Sequence, residues 1–349
     1  MADNRLKFVR LALAEISTRS SFILDQIDRA ESEVGAGDTL EFPAVSALTV
    51  VADGSVSTSA QTPTSDNLTL TVNKHPAVFV DLPAVSSAQN LAGGWAASIG
   101  GQAMRAIRNT MDSDYLSDVA KVAAWDTAAS YVANVAGNTL TKADFVTAHA
   151  LLADQDGSDP GNFMWVFDAW AHSALLNLSE FHPNGSVDTS VLGVPEVGQL
   201  FGAPVFIGGR SVPRQITAAT SAVSISSNVA TATVSSGHGI LAGETLSSSG
   251  LTTDVTGVTV TSVTATTVVY PCTASDGAFA DGVGVLTTAS ARNLLIDRSY
   301  SHAAIQKVPS TRLVPVTGQT NDELQVSSLW GTATRPGRAI QLLSPAGSL

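Results

Sequence analysis

The chain has 349 residues, of which 44% are hydrophobic and 14% charged, and its formal net charge is −12. A charged share well below the usual value of about 25% leaves little charged surface, which favours a protein that packs against copies of itself. The acidic balance excludes a free-standing nucleic-acid-binding domain, because such a domain carries a basic stripe.

Cys272 is the only cysteine in the sequence. The sequence therefore excludes an internal disulfide and a cysteine-based zinc site, and it fits a reducing cytosol. Arg10 and Glu15 interrupt the apolar run near the N-terminus, so we expect no signal peptide. No apolar stretch reaches the roughly 18 residues of a membrane-spanning helix, so we expect no membrane span.

The first 85 residues predict a helical segment followed by an extended one. Residues 5–33 carry apolar side chains at helical spacing, which predicts a helix or a helix pair. Residues 38–85 alternate apolar residues with polar or small ones, which is the period-two pattern of strands. Because residues 55–67 are polar and rich in turn formers, we expect a long two-stranded arm with a flexible tip.

A long helix is predicted over residues 87–112. Ser86 and Gln89 have the spacing of a capping box at a helix start. Two glycine pairs lie inside this helix, and each glycine costs about 1 kcal/mol, so we expect close packing against another backbone. The face expected to be buried comprises Leu91, Trp95, Ile99, Met104, Ile107 and Met111.

The middle of the chain predicts a helix, a turn, a buried strand and a second, shorter helix. The residues from Thr141 to Asp144 begin a helix that runs to about Ala153. The apolar run at 163–167 suits a buried strand, and Asp168 is expected to cap a helix that continues through Leu178.

The composition changes sharply after Arg214. No Lys or Arg occurs between Arg214 and Arg292, and 28 of the 74 residues in 217–290 are Ser or Thr. Short β-branched runs alternate with glycine turns there, which predicts a small all-β module inserted into the surrounding domain. After Arg292 the mixed pattern returns, with strands predicted over 301–309 and 333–345.

Residues 198–213 contain four glycines and two prolines, which raises the question of a phosphate-binding loop. No Lys follows the glycines, and no helix is predicted after them, so neither a P-loop nor a dinucleotide fingerprint is present. We interpret Gly198 and Gly202 as turn residues, 205–207 as a strand and Gly208 with Gly209 as a second turn.

Three other patterns in the sequence could indicate a metal site or a catalytic nucleophile. Asp168, His172 and His182 have a loose metal-ligand spacing, but no second carboxylate accompanies them, which favours a helix cap and two histidines. Cys272 has no neighbouring base, and no Gly-x-Ser-x-Gly nucleophile elbow occurs. The sequence therefore predicts no catalytic, cofactor-binding or metal-binding residues, and we expect no enzyme and no cofactor.

The order of the pieces resembles the major capsid protein of tailed phages, which has the Hong Kong 97-type fold. Residues 140–178 look like the helix, turn, strand and helix of that family's axial domain. Residues 191–213 look like its strand-and-turn segment, and residues 330–345 look like its closing strand.

The resemblance implies an α+β fold with an N-terminal arm, an extended loop, a peripheral domain with a spine helix, and an axial domain, plus the inserted all-β domain. The implied divisions are the arm at 1–37, the extended loop and peripheral strands at 38–85, the spine helix and peripheral domain at 86–135, the axial domain at 136–216, the insert at 217–290, and the axial return with a closing peripheral strand at 291–349.

The insert resembles a small β-barrel module, Ig-like in kind, of phage virion proteins. That module runs His-Gly-(Leu/Ile)-x-x-Gly-Asp, and here His238, Gly239 and Ile240 match, followed by Gly243. Glu244 stands where the module usually has Asp. The resemblance implies that His238 is a turn residue rather than a ligand.

The expected function is an icosahedral shell of pentamers and hexamers around the phage genome. The resemblance implies self-association, a separate scaffolding protein, a portal and a decoration protein as partners, a location in the virion after assembly in the host cytoplasm, and weak non-specific contact with DNA. Two alternatives remain open here: an encapsulin-like compartment with a protein cargo, and a tail or adhesion protein whose insert binds a host glycan. We also expect the insert to lie on the outer face of the shell.

Overall fold

The computed structural model describes most of the chain, and every structural statement below concerns the described residues. These are residues 23–30, 39–43, 67–82, 93–125, 132–134, 140–155, 157–176, 178, 181–183, 196–208, 211–251, 254–273, 277–279, 284–315 and 322–345.

The described part contains α-helices and β-strands in a mixed order. The helices are α1 (Gly93–Trp125), α2 (Lys142–Ala153) and α3 (Ala169–Leu175). The strands are β1 (Asp28–Ala30), β2 (Thr39–Phe42), β3 (Leu68–Thr71), β4 (Ala77–Leu82), β5 (Val132–Asn134), β6 (Phe163–Phe167), β7 (Phe181–Pro183), β8 (Glu196–Leu200), β9 (Ala203–Ile207), β10 (Thr217–Ser226), β11 (Val229–Val234), β12 (Thr245–Ser249), β13 (Val258–Thr259), β14 (Ser262–Val263), β15 (Thr267–Pro271), β16 (Gly277–Phe279), β17 (Val285–Thr288), β18 (Ser290–Asp297), β19 (Ser301–Pro315), β20 (Asp322–Thr334) and β21 (Ala339–Pro345).

Helix α1 packs against a four-stranded sheet with the order β1-β19-β20-β4. Its residues Met104, Ile107 and Met111 are buried, in one cluster with Trp330 of β20. These three belong to the face predicted from the sequence, whereas the side chains of Trp95 and Ile99 lie outside the described residues. The spacing of apolar residues on α1 therefore turns one side of the helix to this sheet.

Helix α1 is longer than the predicted helix, since it continues to Trp125 rather than ending at 112. Tyr115, Leu116 and Val119 are fully buried and extend the apolar face beyond the predicted end. Aspartates lie between these apolar residues. Because a polar residue every few positions resembles the end of an amphipathic segment, the helical spacing of the apolar residues is hard to recognise beyond 112.

The helix predicted over 5–33 is wrong in its described part. Residues Ile23–Gln26 form a 3₁₀ turn, and Asp28–Ala30 form strand β1, which pairs in parallel with β19. The hydrogen bonds of a neighbouring strand decide the conformation of these three residues, overriding the local helical pattern. The remainder of the 5–33 prediction lies outside the described residues.

The extended segment predicted over 38–85 is confirmed in its described part. Strands β2 and β3 pair antiparallel, as expected for the base of a two-stranded arm, and β4 joins the four-stranded sheet. The predicted flexible tip lies outside the described residues, except for Asn67. Lys74, after β3, exchanges two backbone hydrogen bonds of 3.0 Å with Trp330, which fixes the base of the arm against β20.

A seven-stranded sheet has the order β5-β21-β18-β6-β9-β8-β7. Strand β18 is buried along its length, because Leu294 and Ile296 face the α1 cluster while Leu295 faces a second cluster under α2 and α3. The predicted strand at 163–167 is β6, also buried throughout. The sheet is thus covered on both faces in the middle of the molecule.

Two predicted segments around this sheet have different bounds in the structure. Helix α3 ends at Leu175 rather than Leu178. The strand predicted over 333–345 is divided between the end of β20 and strand β21, and β21 pairs with β18 and β5 in the seven-stranded sheet. The buried residues Ile340 and Leu342 explain this position, because they complete the cluster beneath α2.

Within the glycine-rich stretch at 198–213, the residues up to Ile207 belong to a β-hairpin, and Gly209 of the predicted second turn lies outside the described residues. Strands β8 and β9 pair antiparallel, and Phe201 and Gly202 form the two-residue turn with φ of 53° and 81°. Positive φ at both positions is the signature of a type I′ turn, which glycine favours. Gly198 lies inside β8, so its interpretation as a turn residue is wrong, whereas that of Gly202 is confirmed.

A third sheet is formed wholly by strands from 217–288. Its order is β13-β12-β17-β10-β11-β15-β14, with β16 paired to β10. These strands enclose a hydrophobic cluster of their own, centred on Ala232, Leu246, Val268, Tyr270 and Leu286. We call this unit the β module.

Candidate functional site

The β module joins the rest of the chain at two segments that lie side by side. The N–H of Arg292 donates to the carbonyl of Pro213 at 2.8 Å. One step outward, the N–H of Thr288 donates to the carbonyl of Ile216 at 2.9 Å, and the N–H of Ile216 donates to Thr288 Oγ1 at 3.1 Å. The module therefore leaves and re-enters the fold through a narrow, hydrogen-bonded neck.

A fully buried ion pair lies beside this neck. Arg292 Nη2 of β18 lies 2.6 Å from Glu244 Oε2 of the β module, and both side chains are 0% exposed. The N–H of Leu241 also donates to Glu244 Oε2, at 2.8 Å, and Arg292 Nη1 donates to Gln341 Oε1 at 2.8 Å. Gln341 Nε2 in turn donates to the carbonyl of Ala120 at 2.6 Å. One chain of hydrogen bonds thus runs from the module through β18 and β21 to α1.

The electrostatics of the pair depend on both members being present. Burial raises the pKa of Glu244, and the Arg292 guanidinium opposes that rise. Burial lowers the pKa of Arg292, and the Glu244 carboxylate opposes that fall. Removal of either partner would leave the other charge in a low-dielectric environment, which is the costly way to break a buried pair.

A second ion pair extends the polar region to α3. Arg214 Nη2 lies 2.8 Å from Asp168 Oδ1, and Arg214 Nε donates to the same oxygen at 3.2 Å. The N–H of Asp168 donates to Asn293 Oδ1 at 2.8 Å, and Asn293 Nδ2 donates to Ser344 Oγ at 2.9 Å. The first pair includes Arg292 of β18, and the second pair is hydrogen-bonded through Asp168 to the adjacent residue Asn293, so we treat the two pairs as one site, the polar junction.

Comparison with known proteins shows which folds this architecture is similar to. No protein-family model and no curated protein sequence matches the chain. Solved structures of phage capsids are similar to it over most of its length, and three of them illustrate the likeness. The capsid structure of the cyanophage P-SCSP1u is 12% identical with a TM-score of 0.52, over 94% of this chain and 89% of that chain. The mature capsid of bacteriophage PhiM1 is 13% identical with a TM-score of 0.51, over 95% and 88%. The capsid of Ralstonia phage GP4 is 11% identical with a TM-score of 0.51, over 95% and 91%.

This is the fold of phage capsid proteins. The resemblance inferred from the order of helices, strands and turns is thereby confirmed at the level of the α+β capsid fold. At these identities the likeness lies in the arrangement of elements rather than in shared residues. Within the capsid fold, the polar junction lies where α1, the seven-stranded sheet and the β module meet.

In this chain, both carboxylate oxygens of Asp168 have partners within the fold. Its Oδ2 accepts the N–H of Trp170 at 3.3 Å, as expected of a helix cap, and its Oδ1 pairs with Arg214. Burial lowers the pKa of His172, and the side chain of His182 lies outside the described residues. Among the described residues, no three His, Cys, Asp or Glu side chains come together as a metal site.

The histidine of the module motif lies in a loop of the β module. His238 Nδ1 accepts the N–H of Ile240 at 3.0 Å, so Nε2 carries the proton and donates to the carbonyl of Thr264 at 2.9 Å. Both ring nitrogens are therefore bonded to backbone groups of the β module, in keeping with a turn residue. Cys272 is buried in the module cluster.

The sequence reasoning did not find the residues that matter most at the junction. Glu244 is noted in the sequence only as a replacement for the usual Asp of the module motif, but it is buried and paired with Arg292. One signal was available: Arg292 stands in the apolar run of β18, and a charge in such a strand requires a buried partner. The partner's identity could not be inferred, because Glu244 lies 48 residues away in the chain.

In the part of the chain that the structure describes, no helix is both long enough and apolar enough to cross a membrane.

Proposed function

We propose that the chain is the major capsid protein of a tailed phage, with the Hong Kong 97-type fold, and that it forms pentamers and hexamers that close an icosahedral shell around the phage DNA. The observation that carries this proposal is the match of fold over 94% of the chain to the capsid structure of a cyanophage. Its role is structural rather than catalytic, and head-to-tail contacts between identical subunits generate the rings.

The proposed domain division follows the sheets. The four-stranded sheet with α1 corresponds to the peripheral domain and spine helix, β2 and β3 to the base of the extended loop, and the seven-stranded sheet with α2 and α3 to the axial domain. The β module corresponds to the inserted domain at 217–290, which its separate sheet and separate core support.

Exposed apolar side chains support subunit contacts. Trp170 at the start of α3 and Leu176 just after its end are each 59% exposed, and Phe79 on the edge strand β4 is 61% exposed. Aromatic side chains, tryptophan above all, are enriched in the buried centre of protein–protein interfaces. We propose that neighbouring copies in the ring cover them.

We propose that the β module lies on the outer face of the shell. Its segment contains no basic residue, and Asp254 is exposed on its surface, so packed DNA on that side would meet negative charge without compensation. The burial of Glu244 removes one acid from this argument, and Asp276 and Asp281 lie outside the described residues. Antibodies raised against the module should bind intact particles; failure to bind, with the module seen on the inner face, would contradict this placement.

The remaining partners follow from the same proposal. A separate scaffolding protein, a portal and a decoration protein would act with the shell during its assembly in the host cytoplasm, and no membrane is involved. Contact with packaged DNA would be weak and non-specific. The virion is the proposed location of the mature protein.

Electron microscopy of the purified, expressed chain tests the proposal, with light scattering as a measure of mass. We expect closed shells. After co-expression of the chain with the packaging components, these shells should protect their DNA from nuclease. Shells filled with protein and free of DNA would indicate an encapsulin-like compartment instead. Fibres or small oligomers that bind a glycan would indicate a tail or adhesion protein.

A further inference from the structure

A loop of the β module reaches beyond the module onto the capsid fold. Residues 238–244, between β11 and β12, form this docking loop. Leu241 is buried in a cluster with Leu343 of β21, and Glu244 pairs with Arg292 of β18. A Cβ placed on Gly239 would lie 3.4 Å from Lys121 Cγ and 3.7 Å from Lys121 Cα, so the loop backbone rests directly on α1.

Hydrogen bonds also join the docking loop to the rest of the β module. The N–H of Gly243 donates to the carbonyl of Val260 at 2.8 Å, and the N–H of Val260 donates to the carbonyl of Glu244 at 2.9 Å. The two ring nitrogens of His238 bind the backbone at Ile240 and Thr264. A displacement of the loop from the capsid fold would therefore displace the module with it.

The contacts on the other side reach three separate elements. Arg292 belongs to β18, Leu343 and Gln341 belong to β21, and Ala120 and Lys121 belong to α1. An ion pair, an apolar contact and a close backbone approach join the loop to these elements, and the three kinds of contact do not depend on one another. A domain tethered only by its two covalent ends would need none of them.

We propose that the β module is an intramolecular clamp, in which the docking loop locks the C-terminal part of α1 to β18 and β21 and fixes the module in one orientation. Swinging the module away would separate Glu244 from Arg292 and uncover Leu343. Because each step loses a buried contact, the module and the junction open together as one cooperative unit. This inference concerns the single chain and does not depend on shell assembly.

Native-state hydrogen exchange on the unaltered chain, followed as a function of denaturant, tests the clamp without any substitution. We expect amides of the docking loop, of β18 and of α1 near residue 120 to exchange with one common opening free energy and one denaturant dependence. Separate opening of the module, with β18 and α1 still protected, would overturn the proposal.

The two glycines on either side of His238 supply a matched pair of variants. Gly237 and Gly239 have nearly the same left-handed φ, 77° and 75°, so leucine imposes the same backbone strain at both. Only Gly239 faces α1, since nothing lies within 4 Å of a Cβ on Gly237. Gly239→Leu should raise exchange near residue 120 of α1 at least about tenfold more than Gly237→Leu. Equal exchange there in the two variants would overturn the proposal.

Glu244→Gln and Asp254→Asn form a second matched pair of variants, in which each change replaces a carboxylate by an amide of nearly the same shape. One change affects the contact between the module and β18, and the other affects a contact within the module. Asp254 accepts hydrogen bonds from Gly250 and Leu251 inside the module, so its loss should raise exchange within the module alone. Glu244→Gln leaves Arg292 without its counter-charge, and we expect exchange in β18 and β21 to rise roughly 100-fold or more. A rise confined to the module in both variants would show that the module is a tethered domain rather than a clamp.

Discussion

Asp112 lies on the buried side of α1 and is 7% exposed. Its Oδ1 accepts the N–H of Leu24 at 3.1 Å, which holds the 3₁₀ turn at Ile23–Gln26 against the helix. Burial raises the pKa of Asp112 to about 7, opposed by the hydrogen bonds from Leu24 and Ile23 and by the nearby Arg108. The anchor of the N-terminal segment therefore titrates near neutrality.

The raised pKa predicts how stability changes with pH. Because the folded state holds the Asp112 proton more tightly than the unfolded state, this residue's contribution is complete below about pH 4 and is lost as pH rises to about 7. The loss is on the order of 4 kcal/mol. Asp112→Asn keeps an acceptor for Leu24 without the charge, so the variant should resemble the wild type at acid pH and be more stable above neutrality. Urea unfolding across this pH range measures the difference, and parallel profiles for the two proteins would contradict the prediction.

Gly331 of β20 lies where two backbones approach each other closely. A Cβ at this position would collide with the carbonyl oxygen of Thr71 and lie 2.8 Å from its carbonyl carbon. Gly331→Ala must push β3 away from β20, and we expect a loss of about 1–3 kcal/mol in the free energy of unfolding. Gly161→Ala is the control, because its Cβ would meet a movable carboxylate oxygen at 3.3 Å. Equal stability of both variants would show that β3 adjusts freely.

At the scale of elements, the short helix α3 has a buried side and an exposed side. Ala171 and Leu175 are buried under the helix, while Trp170 at its start is 59% exposed. The inner residues hold α3 to the seven-stranded sheet, in one cluster with Phe167 of β6. The outer tryptophan contributes little to that packing and is free to serve a contact between subunits.

Trp170→Glu should therefore impair assembly while leaving the fold intact. The control is Thr147→Glu, which adds the same charge at an exposed position of α2. We expect unchanged thermal unfolding of both unassembled variants, and loss of closed shells only for Trp170→Glu, measured by light scattering and electron microscopy. Normal shells from Trp170→Glu would remove α3 from the proposed contact.

At the scale of the whole molecule, the three largest hydrophobic clusters of the described residues divide the chain unequally. The clusters under α1 and under α2 contain no residue from 217–287, whereas the module cluster contains residues from Ile216 to Leu286. The module can thus be removed without opening the other two cores. What its removal does disturb is the polar junction, where Glu244 and Leu241 cover Arg292 and Leu343.

Replacement of residues 217–287 by a short Gly/Ser linker tests this division. Ile216 and Thr288 are already hydrogen-bonded to each other, so a short linker closes the gap. We expect a folded chain with a lower thermal midpoint, because Arg292 loses its partner and Leu343 becomes exposed. Calorimetry measures the shift. An unchanged midpoint would show that the junction adds no stability, and a chain that does not fold would show that the other cores depend on the module.

The sequence by itself determined the elements whose signals are local. Helix α2 begins after Thr141, whose N–H donates to Asp144 Oδ2 at 2.7 Å, and β6 is buried as its apolar run predicts. The change in composition after Arg214 marked the β module, and the order of elements carried the resemblance to capsid proteins. Local signals suffice here because capping, alternation and turn formation involve residues a few positions apart.

Tertiary structure alone decided the features that depend on distant partners. Strand β1 is extended because β19 offers it hydrogen bonds, although its own sequence favours a helix. Strand β21 enters the seven-stranded sheet because its apolar residues complete the core beneath α2. Glu244 looks like a surface acid until the fold brings Arg292 to it across 48 residues. Burial and pairing are properties of the assembled fold, so no window of neighbouring residues contains them.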